Sequence, residues 1–191
     1  MSTRIPEYPI EQIFLDRWSP RALSPEPITQ AQLMSLFEAA KWAASSFNNQ
    51  PWRFIYTEHK SHQFNTLLST MNAYNHAWAQ QASVLVLVLS YRFFEKNKQP
   101  SSSHSFDTGA ACQNLALQAS LEHIACHIIE GFDKEATRTH IKIPNDYAIE
   151  VLIALGKPRD PSALPEQLQS REKPSDRKKL HEIVFKDVFS E

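Results

Sequence analysis

Arg17-Trp18-Ser19-Pro20-Arg21 places two guanidiniums and a hydroxyl at the point where Pro20 breaks a short helical pattern. Arginine forks match phosphate oxygens bidentately, so the segment suits an anionic ligand; a solvated charged turn has the same composition. Ser45-Ser46-Phe47-Asn48-Asn49-Gln50-Pro51 is a second cluster of hydroxyls and amides. Ser and Asn compete with backbone hydrogen bonding and build turns, and Pro51 pushes the preceding residue out of the helical region. The stretch either presents polar atoms to a ligand or simply caps a loop. Glu130-Gly131 closes an apolar run, where glycine permits close backbone approach to a flat ligand or makes a plain turn. His123, Cys126 and His127 have metal-like spacing, but His123 reads as exposed and Cys126 as core, so no metal site is expected. There is no Gly-x-Ser-x-Gly elbow and no His-Glu-x-x-His, so hydrolase templates find no support.

The glycine count sharpens the anion question. Gly109, Gly131 and Gly156 are the only three, which leaves no P-loop and no Gly-x-Gly-x-x-Gly. Any phosphate must be held by side chains and helix ends. The 191 residues, 42% hydrophobic and 21% charged, read as a single globular domain over 1-191. A formal net charge of -1 gives no electrostatic case for nucleic acid or an anionic membrane. No apolar run reaches a transmembrane length, and Met1 to Pro6 lacks the apolar core of a signal peptide. Cys112 and Cys126 belong to no Cys-x-x-Cys and read as reduced core thiols of a cytoplasmic protein.

The elements that must position these residues follow from periodicity. Ile10 to Arg17 reads as a short helix. Thr29 and Gln32 form a capping box with Ile28 as staple, opening a helix whose Leu33, Leu36, Phe37, Ala40 and Ala44 share a face and whose last turn runs through Trp42. Trp52, Phe54 and Tyr56 alternate as a strand with one aromatic face. A polar helical region from His59 to Met71 and a brief second one lead to Ser83 to Ser90, which is apolar without alternation and reads as a central strand buried on both faces. Tyr91 to Ser105 reads as a mobile loop, a lid or a tolerated insertion. Phe106 to Ala125 is expected to be a buried helix, apolar nearly all round. Cys126 to Ile129 is a short strand, Asp133 caps a small helix, and Ile149 to Leu155 is a buried strand ended by Gly156. The remainder, 157-191, is rich in proline and charge yet finishes with Leu180, Ile183, Val184, Phe185, Val188 and Phe189, so it is expected to wrap this subunit or a neighbour as an arm.

In order and spacing, five of these segments resemble the FMN-dependent nitroreductase family. They are Arg17-x-Ser19-x-Arg21, Ser45 to Trp52, the helix from Asp107-Thr108-Gly109, Ile129 to Asp133, and Leu155-Gly156-Lys157-Pro158. The tail from Arg177 to Val184 is similar to the family's C-terminal Arg followed by Leu-x-Glu-x-Val. The resemblance implies an α+β fold with a central, mainly antiparallel sheet flanked by helices, and a homodimer carrying two FMN molecules at its interface. It implies that Arg17, Ser19 and Arg177 hold the phosphate and ribityl end, with Trp18 beside them and Arg21 reaching the pyrimidine edge. Ser45, Ser46 and Asn48 would come from the partner subunit. Asn75 would contact the ring's polar edge, and Glu130 and Gly131 would lie along the ring with their N–H groups toward N5 and O4.

Two departures stand out: Ala44 where the family commonly has Pro, and Trp78 where some members carry Lys near the pyrimidine, which removes a positive charge. The implied activity is reduction of nitroaromatic, quinone or similar small acceptors with NADH or NADPH in a ping-pong cycle. The chemistry would belong to the flavin, so no catalytic side chain is named. The same fold also fits another activity, such as enone reduction or dehalogenation, or a flavin-binding or transfer module.

Overall fold

A computed structural model describes residues 4–189; residues 1–3, which began the stretch read as lacking a leader, and 190–191, the end of the arm, lie outside the described residues. The fold is α+β, built on a five-stranded, wholly antiparallel sheet. Its middle strand follows from an uninterrupted apolar run: β3 (Val84–Tyr91) is buried along seven of its eight residues. It pairs with β2 (Trp52–Glu58) on one side and with β5 (Tyr147–Pro158) on the other, with a bulge at Val88/Leu89. Strand β5 also pairs with β4 (Ala125–Ile129), along Leu152 to Gly156, and with β1 (Leu23–Ser24), at Lys157 and Pro158.

Side-chain alternation divides the core into two layers. Leu85, Leu87 and Leu89 face α3 (His62–Ser69) and α4 (Ala73–Ala79), packing with Phe64, Leu67, Leu68 and Trp78. Val84, Val86 and Val88 face α2 (Gln30–Lys41) and α5 (His104–Leu121), packing with Leu33, Leu36, Leu115 and Ala116. Two helical layers thus sandwich one sheet, and a one-residue slip of β3 would exchange its two faces. The N-terminal α1 (Gln12–Asp16) and α6 (Lys134–Ile141) flank these layers. Thr29 and Gln32 form the expected capping box, and the Asp133 carboxylate accepts the Ala136 N–H.

Several expectations are corrected. Helix α2 stops at Lys41, so Trp42 is its cap and Ala44 lies exposed beyond it. Helix α5 starts at His104 and is one-sided: Phe106 is 83% exposed and Leu121 61%. The residues between β3 and α5 are not irregular throughout: Phe93 is bridged to Pro100 and the Ser101 N–H donates to the Arg92 carbonyl. Gly156 does not end β5; the strand runs on to Pro158. A Cβ at Gly156 would lie 3.1 Å from the Ser24 carbonyl and 3.2 Å from Leu23 Cβ, so the glycine is what lets β1 close on β5.

The C-terminal segment leaves the sheet through α7 (Glu166–Gln169). It is anchored by Leu164 and Leu168, which are buried in the α3/α4 layer. Beyond Glu172 the chain is exposed, including Ile183, Val184, Val188 and Phe189.

Candidate functional site

Residues 17–21 leave α1 in extended conformation and pack between β4 and the C-terminal segment. Pro20 is buried, and its carbonyl accepts Nδ1–H of His127 on β4 at 3.0 Å. The carbonyl can only accept, so His127 carries its proton on Nδ1 in the neutral state. The His127 ring lies against Trp78 of α4 at 4.5 Å between centroids. Burial, with help from Arg21 and Arg17, pushes the His127 pKa down to about 4, so the ring is neutral at pH 7.

Above this floor opens a cleft of about 470 Å³ whose rim is cationic: Arg4, Arg17, Arg21, Arg171, Lys173 and Arg177, with Trp18 and Ser19 between them. Arg4 Nη1 donates to the carbonyls of Leu15 and Arg17 at 3.0 and 2.9 Å, stitching the N-terminal segment to the motif. Arg17 reaches Ser19 Oγ at 3.4 Å, and Arg177 Nη1 is held by the Ser175 and Asp176 carbonyls. Burial lowers the pKa of Arg17, and the charge of Arg177 lowers it further; Arg4 is lowered by burial and then by Arg177 and Arg17. These guanidiniums repel one another in a partly desolvated cleft, and an anion would relieve that repulsion.

Arg21 is tied differently. Its guanidinium lies over the Tyr74 ring at 5.9 Å, and Nη1 is 3.8 Å from Glu172 Oε2, beyond hydrogen-bond length. Tyr74 precedes Asn75 at the start of α4. Asn75 Nδ2 donates to the Gly131 carbonyl at 3.2 Å, and the Asn72 N–H donates to the same carbonyl at 3.1 Å. A side chain at Gly131 would collide with the amides of Asn72 and Asn75. The N–H groups of Glu130 and Gly131 donate no hydrogen bond among the described residues, leaving two adjacent donors at the end of β4.

The structure therefore gathers Arg17, Trp18, Ser19, Arg21 and Arg177 into one cleft, and packs Asn75 against Gly131 beside Glu130. Ser45, Ser46 and Asn48 do not line that cleft. They form a 3-10 turn, Ser46–Asn48, on the α2/α5 side, where the Ser46 N–H is capped by the buried Asp107 carboxylate at 3.1 Å. Phe47, Asn48 and Gln50 take positive φ angles of 52, 54 and 48°, a backbone conformation that is costly for side-chain-bearing residues. Asn49 fixes the turn to the neighbouring loop: its Nδ2 donates to the Phe93 carbonyl and its Oδ1 accepts the Glu95 N–H.

Trp78 is 1% exposed and belongs to the core, so it does not line the cleft. Sequence reasoning missed Arg4, Arg171, Lys173 and Glu172; for the last three the charged run around Pro174 was the one visible signal. His123, Cys126 and His127 hold no metal constellation, and burial raises both Cys112 and Cys126 to about 12. Among the described residues no helix is long and apolar enough to cross a membrane.

A sheet between two helical layers, with an arginine-lined cleft where the chain's two ends meet, defines a class that the comparisons identify. A profile of the Nitroreductase family matches residues 15–68 and 56–157, and the chain belongs to that family. A crystal structure described as an oxidoreductase containing FMN superposes with a TM-score of 0.95 at 37% identity, covering 100% of this chain and 98% of that one. A Desulfovibrio desulfuricans protein assigned as a nitroreductase and crystallised with FMN shares the fold, with a TM-score of 0.76 and 22% identity over 97% of this chain and 100% of its own. Among curated relatives, Protein DrgA of Synechocystis sp. is 28% identical over 157 residues, 68% of this chain and 74% of DrgA. Spy0809 of Streptococcus pyogenes, whose name assigns it NAD(P)H nitroreductase activity, is 24% identical over 182 residues, 76% of this chain and 90% of its own.

Proposed function

We propose that this protein is an FMN-dependent oxidoreductase that draws electrons from NADH or NADPH and delivers them to a small acceptor such as a nitroaromatic or a quinone. The observation that carries this reading is the convergence of Arg4, Arg17, Ser19 and Arg177 on one cleft in a chain without a glycine phosphate loop. The donor set fits the cofactor. Clustered guanidiniums suit the phosphate, with Ser19 and Trp18 along the ribityl chain. Arg21 would face the pyrimidine edge, Asn75 and the paired N–H groups of Glu130 and Gly131 would meet the ring's polar edge, and Gly131 leaves room for close approach.

When bound, the flavin would supply the two-electron redox chemistry between nicotinamide and acceptor. The chain's own share is to bind and orient: no side chain in the cleft is assigned to proton transfer.

The working unit in this reading is a homodimer, with Ser45, Ser46 and Asn48 lent to the partner's cofactor and the C-terminal arm laid over the neighbouring subunit. Exposed Trp42 and Phe47 beside that turn, and the apolar exposed tail, support it. The visible spectrum of the purified protein tests the proposal, followed by anaerobic addition of each nicotinamide. A yellow protein that bleaches with NADH or NADPH is expected. A colourless protein that takes up no FMN overturns the reading, and bound FMN that neither nicotinamide reduces overturns the reductase part of it.

A further inference from the structure

We propose that Arg171, carried on the C-terminal segment, supplies the positive charge at the pyrimidine end of the cleft that helix α4 does not supply, and thereby raises the reduction potential of the bound flavin. The inference rests on the FMN reading above.

Helix α4 contributes no lysine or arginine, and its Tyr74 lies under Arg21 and Arg171, which both line the cleft. Trp78, one turn after Asn75, is turned into the core against His127, which is neutral at pH 7. The vacancy in charge is met from elsewhere in the chain. The Arg171 guanidinium lies over the Tyr74 ring at 5.8 Å, and Arg21 lies over the same ring at 5.9 Å. Two cations of the cleft therefore share the ring of Tyr74, the residue before Asn75.

Arg171 is held in place by its neighbours in sequence. Leu168 is 4% exposed in the core, and the Arg171 N–H donates to its carbonyl at 3.1 Å. On the other side the Glu172 side chain, 1% exposed, accepts the N–H groups of Arg21 and Ala22. Arg171 itself forms no ion pair among the described residues, so its charge is not cancelled locally. Glu172 partly offsets Arg21, which leaves Arg171 as the uncompensated cation at Tyr74. A cation there stabilises the cofactor once two electrons have added negative charge to its pyrimidine edge, and has less effect on the oxidised ring.

The test compares Arg171→Gln and Arg171→Lys with the wild-type FMN-loaded protein. The potential is read by equilibration with a dye of known potential, and the affinity for oxidised FMN by quenching of its fluorescence. In Arg171→Gln the ratio of reduced to oxidised cofactor at a fixed potential should fall about tenfold, equivalent to about 30 mV for a two-electron couple. Affinity for oxidised FMN should change less than about threefold, and Arg171→Lys should restore most of the potential. An unchanged potential in Arg171→Gln overturns the inference, as does an equal loss of affinity for both redox states, which would put Arg171 on the phosphate. Both outcomes leave FMN bound to the wild type, whereas a wild type that takes up no FMN removes the reading beneath the inference.

Discussion

Glu172 accepts the backbone N–H of Arg21 at 2.7 Å across 151 positions of sequence, and that of Ala22 at 2.8 Å. One buried carboxylate thus pins the C-terminal segment to the N-terminal arginine motif, and Arg171, Lys173 and Arg177 reach the cleft because of it. Hydrogen bonds to a charged acceptor are the stronger kind, and their loss leaves two N–H groups unpaired. Glu172→Ala should loosen this clasp by about 2–4 kcal/mol. Trypsin should then cut after Arg171 and Arg177 faster than in the wild type, and FMN retention should fall with it. An unchanged digestion rate would show that Leu164 and Leu168 hold the segment unaided.

Arg17 and Arg177 bear opposite consequences in the empty and loaded protein. In the FMN reading each would contribute charge-assisted hydrogen bonds to the phosphate, so Arg17→Ala and Arg177→Ala should each weaken FMN by about 1.5–3 kcal/mol. Without an anion, Arg177 destabilises its neighbours, because its charge lowers the pKa of Arg4 and Arg17. Arg177→Ala should therefore leave the thermal midpoint of the apoprotein equal to or above that of the wild type, while FMN raises it less. Unchanged FMN affinity in both variants would place the phosphate elsewhere.

His127 makes stability depend on pH in a defined direction. Its pKa is about 4 when folded against an ordinary value of 6.5, so between these limits the unfolded chain binds the extra proton. The stabilisation is complete above pH 6.5 and is lost as pH falls toward 4, amounting to about 2–3 kcal/mol. Urea midpoints of the apoprotein should fall across that window, and His127→Gln should flatten the slope. Phosphate in the cleft would offset Arg21 and Arg17, which both lower this pKa, so it should flatten the wild-type slope as well. A wild-type midpoint that is flat from pH 7 to 4.5 would mean that the ring is charged in the folded state.

What was legible in the sequence is what short-range physics decides. Thr29 and Gln32 are three residues apart, so their capping box could be read directly, as could the Asp133 cap and the apolar run of β3. The Arg17, Ser19 and Arg21 spacing and its link to Arg177 were visible as a motif. What could not be read depends on distant partners. Gly156 looked like a strand end because glycine often is one, whereas here it admits β1 against β5. Helix α5 looked apolar all round because alanines do not reveal which face is covered, and Phe106 was counted as core. Glu172 and Arg171 sit in a charged, proline-rich stretch whose local pattern says only that it is exposed. Their role arises from a contact with Arg21 and Tyr74 that no periodicity encodes.

Gly131→Ala probes the ring-side wall. The added Cβ would fall 2.6 Å from Asn75 Nδ2 and closer still to the Asn72 amide, so both side chains must swing away. Those groups are the ends of flexible side chains, and the fold should lose only about 1 kcal/mol. The hydrogen bond from Asn75 to the Gly131 carbonyl would be lost, and the approach of a flat ligand to this backbone would be blocked. FMN affinity should drop about tenfold or more while the urea midpoint changes little. Equal affinity in the variant would show that the cofactor lies away from Glu130 and Gly131.

The α2–β2 turn carries the prediction about assembly. Phe47 is 93% exposed and Trp42 76%, although both flank a turn strained at Phe47, Asn48 and Gln50 and locked by Asp107 and Asn49. Strained non-glycine backbone beside exposed aromatic rings is a feature of functional sites and interfaces. Trp42→Asp combined with Phe47→Asp places two charges on this surface without touching the arginine cleft of the same chain. If the turn completes the partner's site, light scattering should show a dimeric wild type and a monomeric variant, and the variant should lose FMN although Arg17, Arg21 and Arg177 are intact. A variant that stays dimeric and yellow would remove Ser45, Ser46 and Asn48 from the cofactor site.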